Sequence, residues 1–195
     1  MRYISTFAIV FIGITSAIGQ DAPTGQSNMD EMKKQLELTK PGKEHEELKR
    51  LTGNWKVTVE LPGNQKGPTK SASAKTILGD RFLVVDGSTV IFNKPTSFRY
   101  TIGFDRRNTE YEISLRDDSG TYSVIGRGKR KGDTARVVGN DNDPFMKKMG
   151  IDKKFAFDMK FVNEDEFSIA TVFVDNRTEV EKYMVAYTLK FSRDQ

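Results

Sequence analysis

From Trp55 onward the chain is written in a period of two. Trp55, Val57, Val59 and Leu61 alternate with Asn54, Lys56, Thr58 and Glu60, the spacing of a half-buried strand. Further apolar or alternating runs follow: KSASAKTIL, RFLVVDG, STVIFN, SFRYTIGF, EYEISLRD, TYSVIGRG, ARVVG, KKFAFDMKFV, DEFSIATVFV and EVEKYMVAYTLKF. Turn-forming stretches such as LGD, NKP, DRRN, DSG, RKGD and NED separate them. The pattern predicts about ten strands joined by short connections, which favour antiparallel pairing over parallel crossovers. A sheet of that width with one apolar face leaves two open edges, and closure into an up-and-down barrel removes both. The expected fold is therefore an all-β antiparallel barrel, with a two-sheet sandwich as the competing arrangement. The inward sets expected are Phe98, Tyr100, Ile102 and Phe104; Phe155, Phe157, Met159 and Phe161; Phe167, Ile169, Thr171 and Phe173; and Tyr183, Val185, Tyr187, Leu189 and Phe191.

Before Trp55 the period lengthens towards 3.6. Met29, Met32 and Leu36 suggest a short helix within 29–38, and Pro41 suits the first turn of another. In that second helix Glu44, Glu46 and Glu47 come early and Lys49 and Arg50 late, matching the helix dipole. Gly53 stands where a left-handed cap would end it. His45, Leu48 and Leu51 share one face, so the helix is expected to plug one barrel end, where His45 and Trp55 meet. These are the only histidine and the only tryptophan of the chain.

The first residues read differently. MRYISTFAIVFIGITSAIGQ has a basic start at Arg2, an apolar run from Ile4 to Ile14 and small residues at Ala17 and Gly19. This is the pattern of a secretory signal cut between Gly19 and Gln20; the run is short against the roughly 20 residues of a membrane span. An uncleaved anchor is the alternative. The expected organisation is a signal peptide over 1–19, a flexible leader with a short helix over 20–40, and a barrel domain over 41–195. The chain has no cysteine, which excludes thiol chemistry and tilts an exported protein towards a bacterial periplasmic or secreted one. No integral membrane span is expected after cleavage. The net charge of +4 is spread along the chain. Its one basic knot, GRGKRKGD, reads as a solvated hairpin tip, so no nucleic-acid partner is expected. Oligomeric state is left open.

A short helix ending in Gly53-Asn54-Trp55 resembles the opening of the lipocalin and calycin superfamily. A longer stretch, roughly 41 to 190, resembles the bacterial domain-of-unknown-function 1579 family. Pro41, Gly42, Glu44, His45, Leu48, Gly53 and Trp55 carry its first landmark, and LGDRFL (78–83) its second, with Asp80 in place of a glycine. Gly103, Phe104, Asp105, Tyr111, Asp117, Gly120 and Thr121 carry the third. Phe104 replaces a tyrosine, and Leu115 stands where the family often has tryptophan. The resemblance implies a calycin-like barrel and transfers no activity.

Candidate chemistry is sparse. His45 can be read as a ligand contact, a general base or a haem ligand, or as a buried imidazole hydrogen-bonded to a strand carboxylate or the backbone. No strand contains a histidine, which weighs against haem, and no Gly-x-Ser-x-Gly is present. Asp117-Asp118 falls in a turn. Asp141-Asn142-Asp143 echoes a calcium loop but lacks its central glycine and final glutamate. No catalytic residue, metal site or cofactor is nominated. Arg81, if inward, needs a carboxylate such as Asp105, Asp117 or Glu44, or a ligand anion; a structural ion pair is the preferred expectation. The candidate binding residues are His45, Trp55, Arg81, Tyr100, Asp105, Tyr111, Asp117 and Tyr187. The expected function is binding of a small apolar or amphipathic molecule inside the barrel. The alternatives are a packed interaction module acting through its loops, or a hydrolase-like enzyme using His45. Asn176-Arg177-Thr178 is a glycosylation sequon.

Overall fold

The computed structural model describes residues 25–141, 143–150, 153–175 and 182–194. The expected signal segment, Asn142 and the sequon at 176–178 lie outside the described residues. In chain order the elements are α1 (Gly25–Leu38), α2 (Lys43–Arg50), β1 (Gly53–Leu61), β2 (Gln65–Lys66), β3 (Lys70–Ile77), β4 (Phe82–Ile91) and β5 (Lys94–Asp105). They continue with β6 (Glu110–Asp117), β7 (Val124–Gly128), β8 (Arg130–Lys131), β9 (Thr134–Asp141), α3 (Pro144–Lys148), β10 (Lys153–Phe161), β11 (Glu166–Asp175) and β12 (Lys182–Arg193). The helix expected within 29–38 is thus longer, starting at Gly25. It belongs up to Glu37 to a unit separate from the one that starts at Leu38.

The strands form one antiparallel ring. The order β10-β11-β12-β1-β3-β4-β5-β6-β7-β9 closes through pairing of β9 with β10, for instance Val137 opposite Phe157, while the short β2 and β8 hang off it. The result is a closed ten-stranded barrel. RFLVVDG and STVIFN, expected as two runs, are one strand, β4. Gly87 does not break it; glycine is needed there because a Cβ would stand 2.6 Å from Phe98 Cζ.

The alternation holds over most of the interior. Trp55, Val57, Val59, Tyr100, Ile102, Tyr111, Ile113, Phe157, Phe167 and Phe191 are all essentially inaccessible to solvent. Two expected sets depart from burial: Phe173 lines a cavity but is 40% exposed, and β12 changes face. In β12 the pairing with β11 shifts between Thr171 and Val172, so Thr171 faces Tyr187 while Val172 faces Val185. Ala186 is the extra residue of this bulge and inverts the parity. Tyr187, Leu189 and Phe191 therefore point inward as expected, whereas Tyr183 and Val185 are exposed. Tyr183 lies under the Arg136 guanidinium, 4.7 Å from ring centre.

α2 seals one end with buried His45 and Leu48, followed by buried Leu51. The helix stops at Leu51, whose φ of −82° is not left-handed. Gly53 is therefore not the helix cap that the spacing suggests. Its φ is +132°, and an added Cβ would meet Arg193 Nη1 at 2.7 Å. That arginine explains the glycine. Its guanidinium lies 4.2 Å over the Trp55 ring and donates to the carbonyls of Thr52 (2.6 Å) and Arg50 (3.0 Å), so it ties the last strand to the end of the helix. Trp55 in turn donates its indole N–H to Leu51 O at 2.9 Å and meets Phe167 edge-on at 4.8 Å. Phe167 stacks on Phe191 at 4.3 Å. A fully buried ring of this kind contributes roughly 1.5–3 kcal/mol from burial alone. The sealed half of the barrel is a packed core.

Candidate functional site

Packing gives out at the other end, hereafter the mouth. Leu115, Val124, Phe155, Phe157 and Phe173 wall a cavity of about 220 Å³, with Asp117, Tyr122, Lys153, Thr171 and Tyr187 as its polar members. Two buried hydroxyls here lack partners: Thr171 lines the cavity, and Tyr100 stands behind the lining, edge-on to Phe157 at 5.9 Å. Tyr100 is fully buried and Thr171 is 5% exposed, and neither oxygen makes a hydrogen bond among the described residues. The Tyr100, Thr171 and Tyr187 hydroxyls nevertheless lie near enough to influence one another's ionisation. Burial pushes the Tyr100 phenol well above its ordinary value, with Tyr187 and Asp117 adding to the effect. Burial also raises Tyr187, so both phenols stay protonated near neutral pH. The bulge at Ala186 is what brings Tyr187 into this group. Asp117 caps its turn by accepting the Ser119 N–H, Asp118 accepts the N–H of Ser97 in β5, and Asp117 also faces the cavity.

The sealed end carries a separate concavity of about 400 Å³ outside the barrel wall, between the start of α2 and the ends of β4 and β5. His45, Arg81 and Asp105 all line it. His45 Nδ1 accepts the Gly42 N–H at 3.0 Å, closing the first turn of α2. The histidine is thus satisfied by backbone, one of the two structural readings, and no strand carboxylate holds it. Burial pulls its pKa below 6.5, opposed by Glu44 and reinforced by Arg106 and Arg81. Asp105 binds Arg107 through both oxygens at 2.9 Å, which holds its carboxyl down to about 2.

Arg81 corrects the expected ion pair. Its side chain is exposed, so burial never forces a carboxylate on it. The guanidinium donates instead to the carbonyls of Leu78 (3.1 Å), Gly79 (3.4 Å) and Thr39 (3.3 Å). Trp55 and Tyr111 line neither cavity. Trp55 belongs to the core, and Tyr111 packs on Phe104 at 4.9 Å and on Phe161 at 5.9 Å. Burial raises the Tyr111 phenol while Arg130 opposes the rise.

The eight candidate residues therefore divide. Tyr100, Asp117 and Tyr187 meet at the mouth, and His45, Arg81 and Asp105 at the sealed end. Thr171 was expected to face inward but not to bind, because a threonine in an alternating run reads as ordinary strand. Arg106 and Arg130 were also missed. Arg130 departs from the expected solvated hairpin tip: it donates to Glu47 at 2.5 Å and lies 4.5 Å over Phe161. Asp143, from the calcium-loop echo, caps α3 by accepting from the Phe145 and Met146 N–H groups. Among the described residues no three His, Asp or Glu side chains converge to hold a metal ion.

A model of the family described as "Protein of unknown function (DUF1579)" matches residues 40–190. No curated protein matches the sequence. Among solved structures, a redesigned β-barrel, mFAP1, bound to DFHBI, is similar at 11% identity, with a TM-score of 0.38, over 75% of this chain and 97% of that one. Among the described residues no helix is long and apolar enough to cross a membrane.

Proposed function

We propose, for a chain that belongs to the protein-of-unknown-function family DUF1579, that the barrel binds a small amphipathic molecule at its mouth. One observation carries the reading: the Thr171 hydroxyl lines the cavity and has no partner, and the buried Tyr100 hydroxyl behind that lining has none either. A buried polar group left unsatisfied costs about 1–3 kcal/mol. A ligand whose polar end reaches both hydroxyls recovers that cost, and its apolar body replaces water against Leu115, Phe155 and Phe157.

The cavity dictates the ligand's size and charge. Its 220 Å³ corresponds to about seven waters' share of liquid volume and lies under the roughly 300 Å³ of ordinary ligand pockets. The opposite charges of Asp117 and Lys153 offset each other, and protonated phenol and threonine hydroxyls offer donors and acceptors without charge. Both point to a single ring or short chain bearing one uncharged hydroxyl or carbonyl. The reading includes export from a bacterial cell, supported by the pattern of 1–19, and a calycin-like relation, supported by the helix-Gly53-x-Trp55 opening.

Native and denaturing mass spectrometry of the protein purified from its own periplasm test this first. The expected result is an added mass that falls away on denaturation and is absent from Tyr100→Phe/Thr171→Val, with a mature chain starting at Gln20. If phenol and benzyl alcohol bind the double variant as tightly as the parent, the mouth is not the site.

A packed interaction module is the second reading, favoured by the filled sealed half. Around the mouth Phe92, Tyr122, Phe145 and Met149 are exposed, and single-residue tips of that kind suit contacts with another protein. The hydrolytic alternative has less support. His45 Nδ1 accepts from backbone, whereas a Ser–His–Asp relay needs that nitrogen to donate to a carboxylate.

A further inference from the structure

We propose that the concavity at the sealed end is a second, independent binding site, for a small organic oxyanion: a carboxylate or phosphate carried on an apolar body. Its volume of about 400 Å³ lies within the range of small-molecule pockets. Charge decides the sign of what it takes. Lys40, Arg81, Arg106, Arg107 and Arg127 line it, against Asp105 and Glu112. Both carboxylates are engaged, Asp105 by Arg107 and Glu112 by Arg127 at 2.6 Å. The surplus is positive, and Arg81 supplies part of it without any carboxylate partner among the described residues.

Arg81 is held in place rather than left loose. Three carbonyls grip its guanidinium, and two of them come from a turn in which Leu78 (φ 53°), Gly79 (φ 66°) and Asp80 (φ 61°) are all left-handed. Left-handed backbone is costly for a leucine, and Thr76 and Lys49 fix the turn by donating to the Asp80 carboxylate at 2.6 and 2.8 Å. An arginine positioned in advance loses less side-chain freedom on meeting an anion, and its planar fork suits a carboxylate or phosphate.

Two glycines shape the remainder of the lining. A Cβ on Gly42 would stand 2.9 Å from Arg106 Nε, and one on Gly103 would stand 2.7 Å from the Phe82 ring. Gly42 thus makes room for a cation, and Gly103 for an apolar surface continued by Phe104. Neither glycine has a left-handed φ, so space and not conformation is what they provide. Oxyanion and apolar body each have a matching wall.

Amide NMR titration of the full chain tests the site with four probes: phenyl phosphate, benzoate, inorganic phosphate and benzyl alcohol. Saturable shifts at Gly79–Phe82 and Phe104–Arg106 are expected with phenyl phosphate or benzoate. Arg81→Gln is expected to weaken them about tenfold or more, Arg106→Gln to weaken them in the same direction, and Thr171→Val to leave them unchanged. The last variant separates this site from the mouth. Folded variants that bind phenyl phosphate as tightly as the parent overturn the proposal. So does inorganic phosphate binding equally well, which would remove the role of the apolar wall, and so does benzyl alcohol matching phenyl phosphate, which would remove the role of charge. If Arg81→Gln fails to fold, Arg106→Gln and loss of affinity with added salt decide the matter.

Discussion

At the sealed end the Trp55 indole N–H finds Leu51 O, His45 accepts from Gly42, and Arg193 spreads its guanidinium across the carbonyls that end α2. Towards the mouth the Thr171 hydroxyl ends at a cavity with nothing to bond, and the Tyr100 hydroxyl is buried behind it without a partner. The surfaces differ in the same direction. The sealed end presents arginines around its outer concavity, whereas the mouth presents exposed Phe92, Tyr122, Phe145 and Met149. The difference is one of room: the Tyr111 hydroxyl near the sealed end is also without a partner, but its ring is packed between Phe104 and Phe161, whereas the Thr171 hydroxyl borders a cavity.

Mutation can break this contrast, and the largest effect belongs to the seal. Trp55→Ala should lower unfolding free energy in urea by about 3–5 kcal/mol, since it removes a fully buried ring, its hydrogen bond and the surface beneath Arg193. A loss under about 1 kcal/mol would mean that the helix and barrel are not coupled through it. Thr171→Val should act in the opposite direction, raising the stability of the ligand-free protein by about 1 kcal/mol, because an orphaned hydroxyl is replaced by a methyl of similar size. Destabilisation by the same substitution would show that the hydroxyl is already satisfied.

Mild acid should weaken the sealed end through its histidine. His45 has a folded pKa below its ordinary 6.5, so the unfolded chain binds its proton more readily. Its contribution is fully present above about pH 6.5 and is lost as pH falls through the folded pKa. Protonation also removes the acceptor that Gly42 uses. Melting temperature should drop as pH falls below about 6.5, and His45→Asn should flatten that slope. An identical slope in the variant would assign the effect to other groups. The smallest effect is expected at Asp80→Gly. Relief of left-handed backbone offsets the lost bonds to Thr76 and Lys49, leaving the midpoint within about 0.5 kcal/mol of the parent.

Legibility followed the range of the interactions. Phe98 to Phe104 and Phe155 to Phe161 read inward directly, because burial repeats every second residue along one strand. The helix-Gly53-Trp55 opening also read correctly as a plug. Its glycine, however, was explained by the wrong neighbour. The residue that requires Gly53 is Arg193, the last residue of the final strand, and no local pattern links them. For Arg81 a structural ion pair was the preferred expectation, but the turn at Leu78–Asp80 sets its guanidinium on carbonyls instead. Tyr183 and Val185 were misplaced by the single extra residue at Ala186, which periodicity alone does not reveal.

By itself, then, the sequence determined the class of the fold: a period of two broken by turn residues can bury its apolar face only in a sheet, and ten such runs in succession favour a closed one. It also determined which residues could do chemistry, since a chain with one histidine and no cysteine leaves few candidates. Only the tertiary structure decided which of them meet. Tyr100, Thr171 and Tyr187 come from β5, β11 and β12, and their convergence depends on ring closure and on one bulge. His45, Arg81 and Arg106 come from a helix and two turns brought to one rim by the barrel between them. Contacts of that kind are set by register and closure, which act across the whole chain, whereas the sequence pattern records only what each residue does beside its immediate neighbours.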